Sequence, residues 1–456
     1  MPVFADAALD ALRTLPVDDL ILPVLVQLAV IVAAARACGM LARTLGQPAV
    51  VGEIVAGLLL GRSLFAWVWP AGFAAVFEPT LPGVPPDLTA AAFPKIFQAL
   101  SQIGLVLLMF LVGLEFHTEH LRATGLAAAA VAAAGVGVPF ALGAGLAPLL
   151  HPHLEPLPDG RTVPLLRMTL FLGAALAVTA IPTLGRMLIE FGITDTRIGT
   201  IAVAAAAVAD TLVWVLLAGI NSVADADAGA GWAGSLVVLA VTLGFAGLLV
   251  LVVPRTLGVY LDRSVRANAG TLGATPLAVL LVGLLLCGVA TNRIGISAVF
   301  GAFLFGATLA GRPELRQAVS GRLQDVVNAL FLPVFFTSVG LRTDLTAIGG
   351  LWWAAAAVLA VGVAGKLGGC AVAARWAGFG WREAGILGAL LNTRGLMGLV
   401  VATIGADAGL IPPSVFTALV LMAVLTTLMA GPVVVALRRG TEIEGPLRAH
   451  GFGARV

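Results

Sequence analysis

The sequence predicts an all-α polytopic membrane protein of about thirteen transmembrane helices, built as an inverted 6+6 repeat with a linker helix and two broken helices crossing in its core. Three observations predict it. Of 456 residues, 60% are hydrophobic and only 11% are charged, whereas an ordinary soluble domain is about 25% charged. The mean hydropathy is +1.05. Apolar windows of bilayer-spanning length recur along the chain, and a segment near the start of the sequence returns in its second half.

The first six windows cover residues 21–41, 48–60, 96–116, 123–150, 165–188 and 196–220, and a seventh covers 233–251. The last six cover 276–290, 294–310, 326–341, 351–374, 383–404 and 415–437. Most approach the roughly 20 apolar residues needed to cross a bilayer; the second and the eighth to tenth are short. Residues 1–19 are mixed and acidic rather than basic and then apolar, so they read as an external segment and not as a cleaved signal. Basic residues gather on the cytoplasmic side of membrane proteins. With the N-terminus outside, sixteen of the 26 Lys and Arg residues fall on cytoplasmic segments and seven on external ones, and Arg36, Lys366 and Arg394 fall within spans. The C-terminus is then cytoplasmic, with a short tail over 439–456. The net charge of +2 signals neither nucleic acid nor an acidic partner.

The repeat is read from two matches. Ala49-Val50-Val51-Gly52-Glu53-Ile54-Val55-Ala56-Gly57 pairs with Ala298-Val299-Phe300-Gly301-Ala302-Phe303-Leu304-Phe305-Gly306. Val112-Gly113-Leu114, near the end of the third span, pairs with Val339-Gly340-Leu341, near the end of the tenth. The long loop 62–94, which the second copy lacks, explains the change of offset. Equivalent helices lie seven spans apart, so the copies are inverted across the membrane. Carriers of this plan bind their cargo near the midplane, on interrupted helices.

Two interruptions are visible. Thr179-Ala180-Ile181-Pro182 lies in the fifth span, where proline removes a backbone donor and clashes with the preceding turn. Asn392-Thr393-Arg394-Gly395 lies at the equivalent depth of the twelfth. For Thr179 and Pro182 the plain alternative is an ordinary packing kink. In the sixth span, Asp210 follows Ala204–Ala209 as Ala-Ala-Ala-Ala-Val-Ala and sits at hydrocarbon depth. A charge there costs about 2.5–3.5 kcal/mol on insertion scales, and such residues face a cavity or a partner. The plain alternative is a carboxyl kept protonated, or paired, for packing. Lys366 is one of only two lysines, with Lys95, in a chain whose other cations are arginines. Inside a span it suggests a compact charge in the core, against the alternative of snorkelling to an interface. Glu53 is a secondary candidate, more simply read as a structural partner of Arg36.

Other polar groups carry less. Glu115 and His117 close the third span and read as solvated. His151 and His153, around Pro152, lack further metal ligands. Cys38, Cys287 and Cys370 lie in apolar runs without metal or redox spacing and read as buried thiols. There is no Gly-rich phosphate loop after a strand, no His/Cys metal cluster and no nucleophile–base spacing, so an enzyme and a resident cofactor are not expected.

Taken together, the chain resembles the monovalent cation:proton antiporters of the sodium/hydrogen exchanger superfamily, in the branch of potassium-efflux-type and plant cation/proton exchangers. The resemblance rests on Gln47-Pro48-Ala49-Val50-Val51-Gly52-Glu53-Ile54, Phe110-Leu111-Val112-Gly113-Leu114-Glu115 and Val178-Thr179-Ala180-Ile181-Pro182-Thr183-Leu184-Gly185-Arg186. It continues through Ala209-Asp210, Gly301-Ala302-Phe303-Leu304 and Leu391-Asn392-Thr393-Arg394-Gly395-Leu396, in family order. It implies a scaffold and dimerisation domain over 20–117 and 274–345, an ion-transporting core over 120–221 and 348–438, a linker helix over 232–256, and a homodimer in membrane lipid. By the same resemblance Asp210 is the ion- and proton-binding residue, Thr179 belongs to the unwound segment beside it, and Lys366 and Arg394 are the basic residues of the core. Charge-moving relatives carry an acidic pair at this point and others Asn or Gln before the Asp. This chain has Ala209. About 18 residues follow the last span, which implies a form without the nucleotide-binding regulatory domain of many relatives.

The implied function is exchange of Na⁺ or K⁺ for H⁺ by alternating, elevator-like access. With a single carboxylate per cycle, one cation for one proton is the simplest stoichiometry, and exchange is electroneutral. A bacterial cell membrane is the expected setting. The alternatives are a channel-like K⁺ efflux pathway, an inverted-repeat carrier of organic anions, which would not need this basic–acidic set around the break, and a non-transporting ion-sensing scaffold.

Overall fold

The computed structural model of the chain describes residues 16–45, 47, 49–61, 64–81, 86–114, 125–194, 196–225, 231–294, 297–343, 345 and 348–449. Glu115 and His117 lie outside the described residues.

Among the described residues every regular element is helical. In chain order these are α1 (Val17–Thr44), α2 (Ala49–Leu60), α3 (Phe65–Val68), α4 (Pro70–Phe77), α5 (Pro86–Leu114), α6 (Gly125–Leu150) and α7 (Leu165–Ala177). Next come α8 (Ile181–Glu190), α9 (Arg197–Asp225), α10 (Gly231–Val252), α11 (Val259–Ala267), α12 (Ala274–Ile294), α13 (Ala298–Leu309) and α14 (Pro313–Val326). The last are α15 (Leu332–Arg342), α16 (Trp352–Val363), α17 (Gly369–Trp376), α18 (Trp381–Leu391), α19 (Gly395–Asp407), α20 (Pro413–Leu437) and α21 (Glu444–Ala449). Among the described residues nine helices are long and apolar enough to cross a membrane, ten when the bent pair α18–α19 is taken as one span. Three shorter apolar helices, Val51–Leu60, Leu165–Ala177 and Ala298–Leu309, stand where the second, fifth and ninth predicted spans begin.

Two predicted spans run more than ten residues beyond their apolar windows. The seventh passes through Pro254 into α11, because a π turn at Pro254–Gly258 absorbs the missing N–H. Gly258 N–H reaches back to Val253 O at 2.8 Å, while Arg255 and the Thr256 hydroxyl take Leu251 O and Val252 O at 2.7 and 2.8 Å. The tenth starts thirteen residues before its predicted position, at Pro313, and runs to Arg342. Its first half is polar apart from a buried stripe of Leu315, Ala318 and Val319, which an apolar window passes over.

The chain divides into two compact units. The first comprises Met1–Leu105 and Asp325–Thr346. Its core gathers Ile31, Phe73, Phe77, Phe97 and Val334. Arg36 links three of its elements: its Nη1 lies 3.6 Å from Glu53 Oε1, and its Nη2 donates to Asn328 O at 2.9 Å. Asn328 lies in a second π turn, Val327–Phe331, and Pro333, five residues on, has no N–H to offer its carbonyl. The second unit comprises Val106–Gln324 and Ala347–Val456. One cluster of buried residues there joins α6, α8, α9, α17, α18, α20 and α21, including Val131, Leu184, Ala205, Ala206, Cys370, Leu390, Leu391, Val434 and Leu447. Cys287 and Cys370 are buried as expected; Cys38 is only partly so.

The repeat is written into the closest helix contacts. In the first unit, Gly57 of α2 lies so near the Phe336 carbonyl, and Gly340 of α15 so near the Gly57 carbonyl, that neither leaves room for a Cβ. In the second unit, Gly306 of α13 meets the Phe110 carbonyl and Gly113 of α5 meets the Phe303 carbonyl in the same way. Gly57 matches Gly306, and Gly113 matches Gly340. The second span of one copy therefore packs on the third of the other, twice, as an inverted pair requires.

Candidate functional site

The two breaks are real and they touch. α7 ends at Ala177, Val178 to Ala180 are not helical, and α8 resumes at Ile181 with Pro182 in its first turn. α18 ends at Leu391, Asn392-Thr393-Arg394 interrupt it, and α19 resumes at Gly395 with the axis bent by 46°. Ala180 N–H donates to Thr393 O at 2.9 Å, so one unwound strand is hydrogen-bonded to the other. Gly395 adopts φ +35°, in the left-handed region, against the Thr183 hydroxyl. Its N–H donates to Thr427 Oγ1 at 2.9 Å, and that hydroxyl donates onward to Ala423 O at 2.7 Å.

A helix that stops inside the membrane leaves its last four carbonyls without partners and carries partial negative charge there. Two buried cations answer this at the end of α7. Lys366 Nζ donates to Ala177 O. Arg394 donates through Nη1 to Ala175 O at 3.1 Å and through Nη2 to Gly362 O at 2.8 Å. Lys366 is 1% exposed and Arg394 0%, which removes snorkelling as the reading of Lys366. Lys366 sits in a third π turn, Ala364–Gly368, that joins α16 to α17. Such turns take carbonyls out of the usual i to i+4 register, and Gly362 O, just before this one, is held by Arg394.

Asp210 lies in α9 and is 2% exposed, with Ala209 beside it equally buried. Ala205 and Ala206, just over a turn earlier, share the buried cluster with Leu184 and Leu391, which flank the two breaks. The Lys366 charge acts on Asp210 and on Arg394. Asp210 Oδ2, Thr179 Oγ1 and Asn392 Oδ1 are buried and have no hydrogen-bond partner. Buried oxygens of this kind are rare in native interiors and each needs an explanation. Thr393, fully buried, bonds Leu390 O at 2.7 Å instead. Glu53 lies in the first unit with Arg36. His151 and His153 each bond a main-chain carbonyl, Val163 O at 2.8 Å and Leu149 O at 3.2 Å, through the ring nitrogen nearest it. No group of three or more His, Cys, Asp or Glu gathers among the described residues.

Sequence reasoning passed over Thr427 and Gly362, and gave Thr183 no role beyond its place in the motif. The only signal for Thr427 was the pair Thr426-Thr427 inside an apolar span. Gly362 carried none, because its importance comes from a π turn that no sequence pattern announces.

A multi-pass helical fold with inverted halves, two crossed broken helices and a buried carboxyl beside buried cations defines a membrane carrier. The chain belongs to the sodium/hydrogen exchanger family, whose transmembrane domain matches residues 29–439. It is 35% identical to cation/H(+) antiporter 20 of Arabidopsis thaliana over 435 residues, which cover 92% of this chain and 49% of that protein. It is 34% identical over 422 residues to the Na(+)/H(+) antiporter NhaS4 of Synechocystis, covering 91% of this chain and 97% of that one. The chain thus spans about half the length of the plant relative and nearly all of the cyanobacterial one. The fold is similar to the solved sodium proton antiporter MjNhaP1 of Methanocaldococcus jannaschii, with a TM-score of 0.58 at 15% identity, covering 94% of this chain and 99% of that one. The family is one of transporters, not of enzymes.

Proposed function

We propose that the protein exchanges a monovalent cation, Na⁺ or K⁺, for H⁺ across a bacterial cell membrane, with Asp210 binding either one but not both. The observation that carries this is the Asp210 carboxyl itself. It is buried at mid-span, with one oxygen unanswered by any hydrogen bond, in a helix that packs against both breaks. A carboxyl at this depth faces a cavity or a partner, and an arriving cation can take the place of its proton. Thr179 and Asn392 offer further oxygens of the hard kind that alkali cations prefer.

One carboxyl per cycle makes the exchange electroneutral. The core (120–221 and 348–438) moves against the scaffold (20–117 and 274–345), with the helix over 232–256 linking them, the N-terminus outside, the C-terminus inside and the scaffold pairing two copies. Pairing and orientation are drawn from the resemblance and the arginine bias. The test is cation-driven decay of a pH gradient in proteoliposomes, with Na⁺, K⁺, Rb⁺ and Li⁺ compared. Asp210→Asn is expected to abolish it, and full activity in that variant would end the assignment. A cation current without proton movement would instead identify a channel.

A further inference from the structure

α9 is smooth where it carries the site. Ala202, Ala205, Ala206 and Ala209 are all buried. Small side chains let helices approach closely, yet they raise no ridge to lock into a neighbour's groove. An alanine face therefore holds the axial position of a helix weakly, and contacts outside that face fix α9 in place. One turn beyond Asp210, Trp214 stacks on Phe303 with ring centroids 5.6 Å apart. At the start of the helix Arg197 lies over the Phe379 ring, 4.1 Å from its centroid, and the segment after α20 adds a second hold.

That segment, 438–449, is folded back as a strap. Ile443 and Leu447 are fully buried in the same cluster as Leu184, Ile198, Ala205 and Leu387. Arg382 donates to Arg439 O at 2.6 Å, and Gly440 N–H donates to Glu444 at 2.8 Å. Glu442 Oε1 accepts from Ile198 N–H at 2.6 Å, across 244 residues of sequence. Thr196 Oγ1 accepts from Gly199 N–H at 3.1 Å. Two of the orphan amides of the first turn of α9 are thus answered, one of them by the strap.

We propose that Glu442 is a positioning residue for exchange: it clamps the start of α9 to the strap and so sets where Asp210 stands along the helix axis relative to the two breaks. The inference rests on Asp210 being the exchanging carboxyl. Thr196 caps the helix locally and moves with it. Arg197 packs over the Phe379 ring beside it, and Glu442 is the hydrogen-bonding tie from the first turn to the strap, whose own anchors, Ile443 and Leu447, lie in the cluster shared by α8, α18 and α20.

The test uses the full chain with Glu442→Ala and Glu442→Gln, the latter keeping an acceptor oxygen at the same reach. In Glu442→Ala the amides of Ile198 and Gly199 are expected to exchange with solvent roughly five- to tenfold faster, as loss of a helix cap allows. In proteoliposomes the cation concentration for half-maximal exchange rises several-fold while the maximal rate stays within about twofold. Glu442→Gln stays close to the parent in both. If Glu442→Ala does not fold, Glu442→Asp, one methylene shorter, takes its place with the same expected direction. A purely structural role would lower the maximal rate with the amount of folded protein and leave half-saturation unmoved, and that result overturns the proposal. Unchanged amide exchange at Ile198 overturns it as well. Failure of the underlying reading shows separately, as transport surviving in Asp210→Asn, since the amide measurement on Glu442 needs no transport.

Discussion

Arg394 and Lys366 do for the broken helix what water does for a helix end in solution. Arg394 serves two carbonyls on different elements, and its planar fork suits that role in a way a lysine ammonium does not. Arg394→Ala leaves Ala175 O and Gly362 O bare in the interior, and each such group costs about 1–3 kcal/mol. Lys366→Ala bares only Ala177 O. Thermal unfolding in detergent should therefore fall further for Arg394→Ala than for Lys366→Ala, with Arg394→Lys between the parent and the alanine variant. An equal fall would mean that the carbonyl at Gly362 is not held by Arg394 in solution. Both residues stand out in the sequence as cations within spans; which carbonyls they hold could not be read there.

At the scale of elements, the crossing of the breaks depends on a glycine and a threonine. Gly395 has φ +35°, and a Cβ on it would press on Thr183 Oγ1. Gly395→Ala should lower stability by about 1–3 kcal/mol, the usual toll of a strained left-handed residue. Adding Thr183→Ala should recover part of that loss, and simple additivity of the two would refute the contact. Thr427→Val keeps the volume but removes the acceptor of Gly395 N–H, and a loss of about 1–2 kcal/mol is expected from an unanswered buried donor. The three π turns share one logic: Pro254 O, Asn328 O and Gly362 O each accept from the guanidinium of a distant arginine, Arg312, Arg36 and Arg394 respectively. Loosening a helical turn frees a carbonyl, and an arginine distant in the chain takes it.

At the scale of the whole molecule, alternating access requires the proposed core to move against the proposed scaffold. α9 belongs to the former and α13 to the latter, and Trp214 and Phe303 stack between them. Cysteines placed at these two positions, in a chain whose part-exposed Cys38 is serine, should form a cross-link that arrests exchange and is reversed by reduction. Free exchange in the cross-linked protein would rule out relative motion of these helices. One cation for one proton also predicts that a charge-shunting ionophore leaves the rate unchanged, whereas faster exchange with the ionophore would show net charge movement.

The sequence by itself determined the fold class, the repeat and the identity of the unusual residues, because each is written in what lipid forbids. A carboxyl, a lysine, an arginine and a mid-span proline are all expensive in hydrocarbon, so they stand out without coordinates. Glycines at matched positions of the two copies stand out for the same reason, since only they let backbones meet. What the tertiary structure alone decided is who answers whom. The seating of Lys366 and Arg394 on the end of α7, the bond between Ala180 and Thr393, the cap that Thr427 gives Gly395 and the strap bond from Glu442 all join residues at least 32 apart in the chain. Sequence patterns report the face a residue occupies, but hydrogen-bond partners across helices follow from axial position and from π turns, and neither leaves a periodic trace.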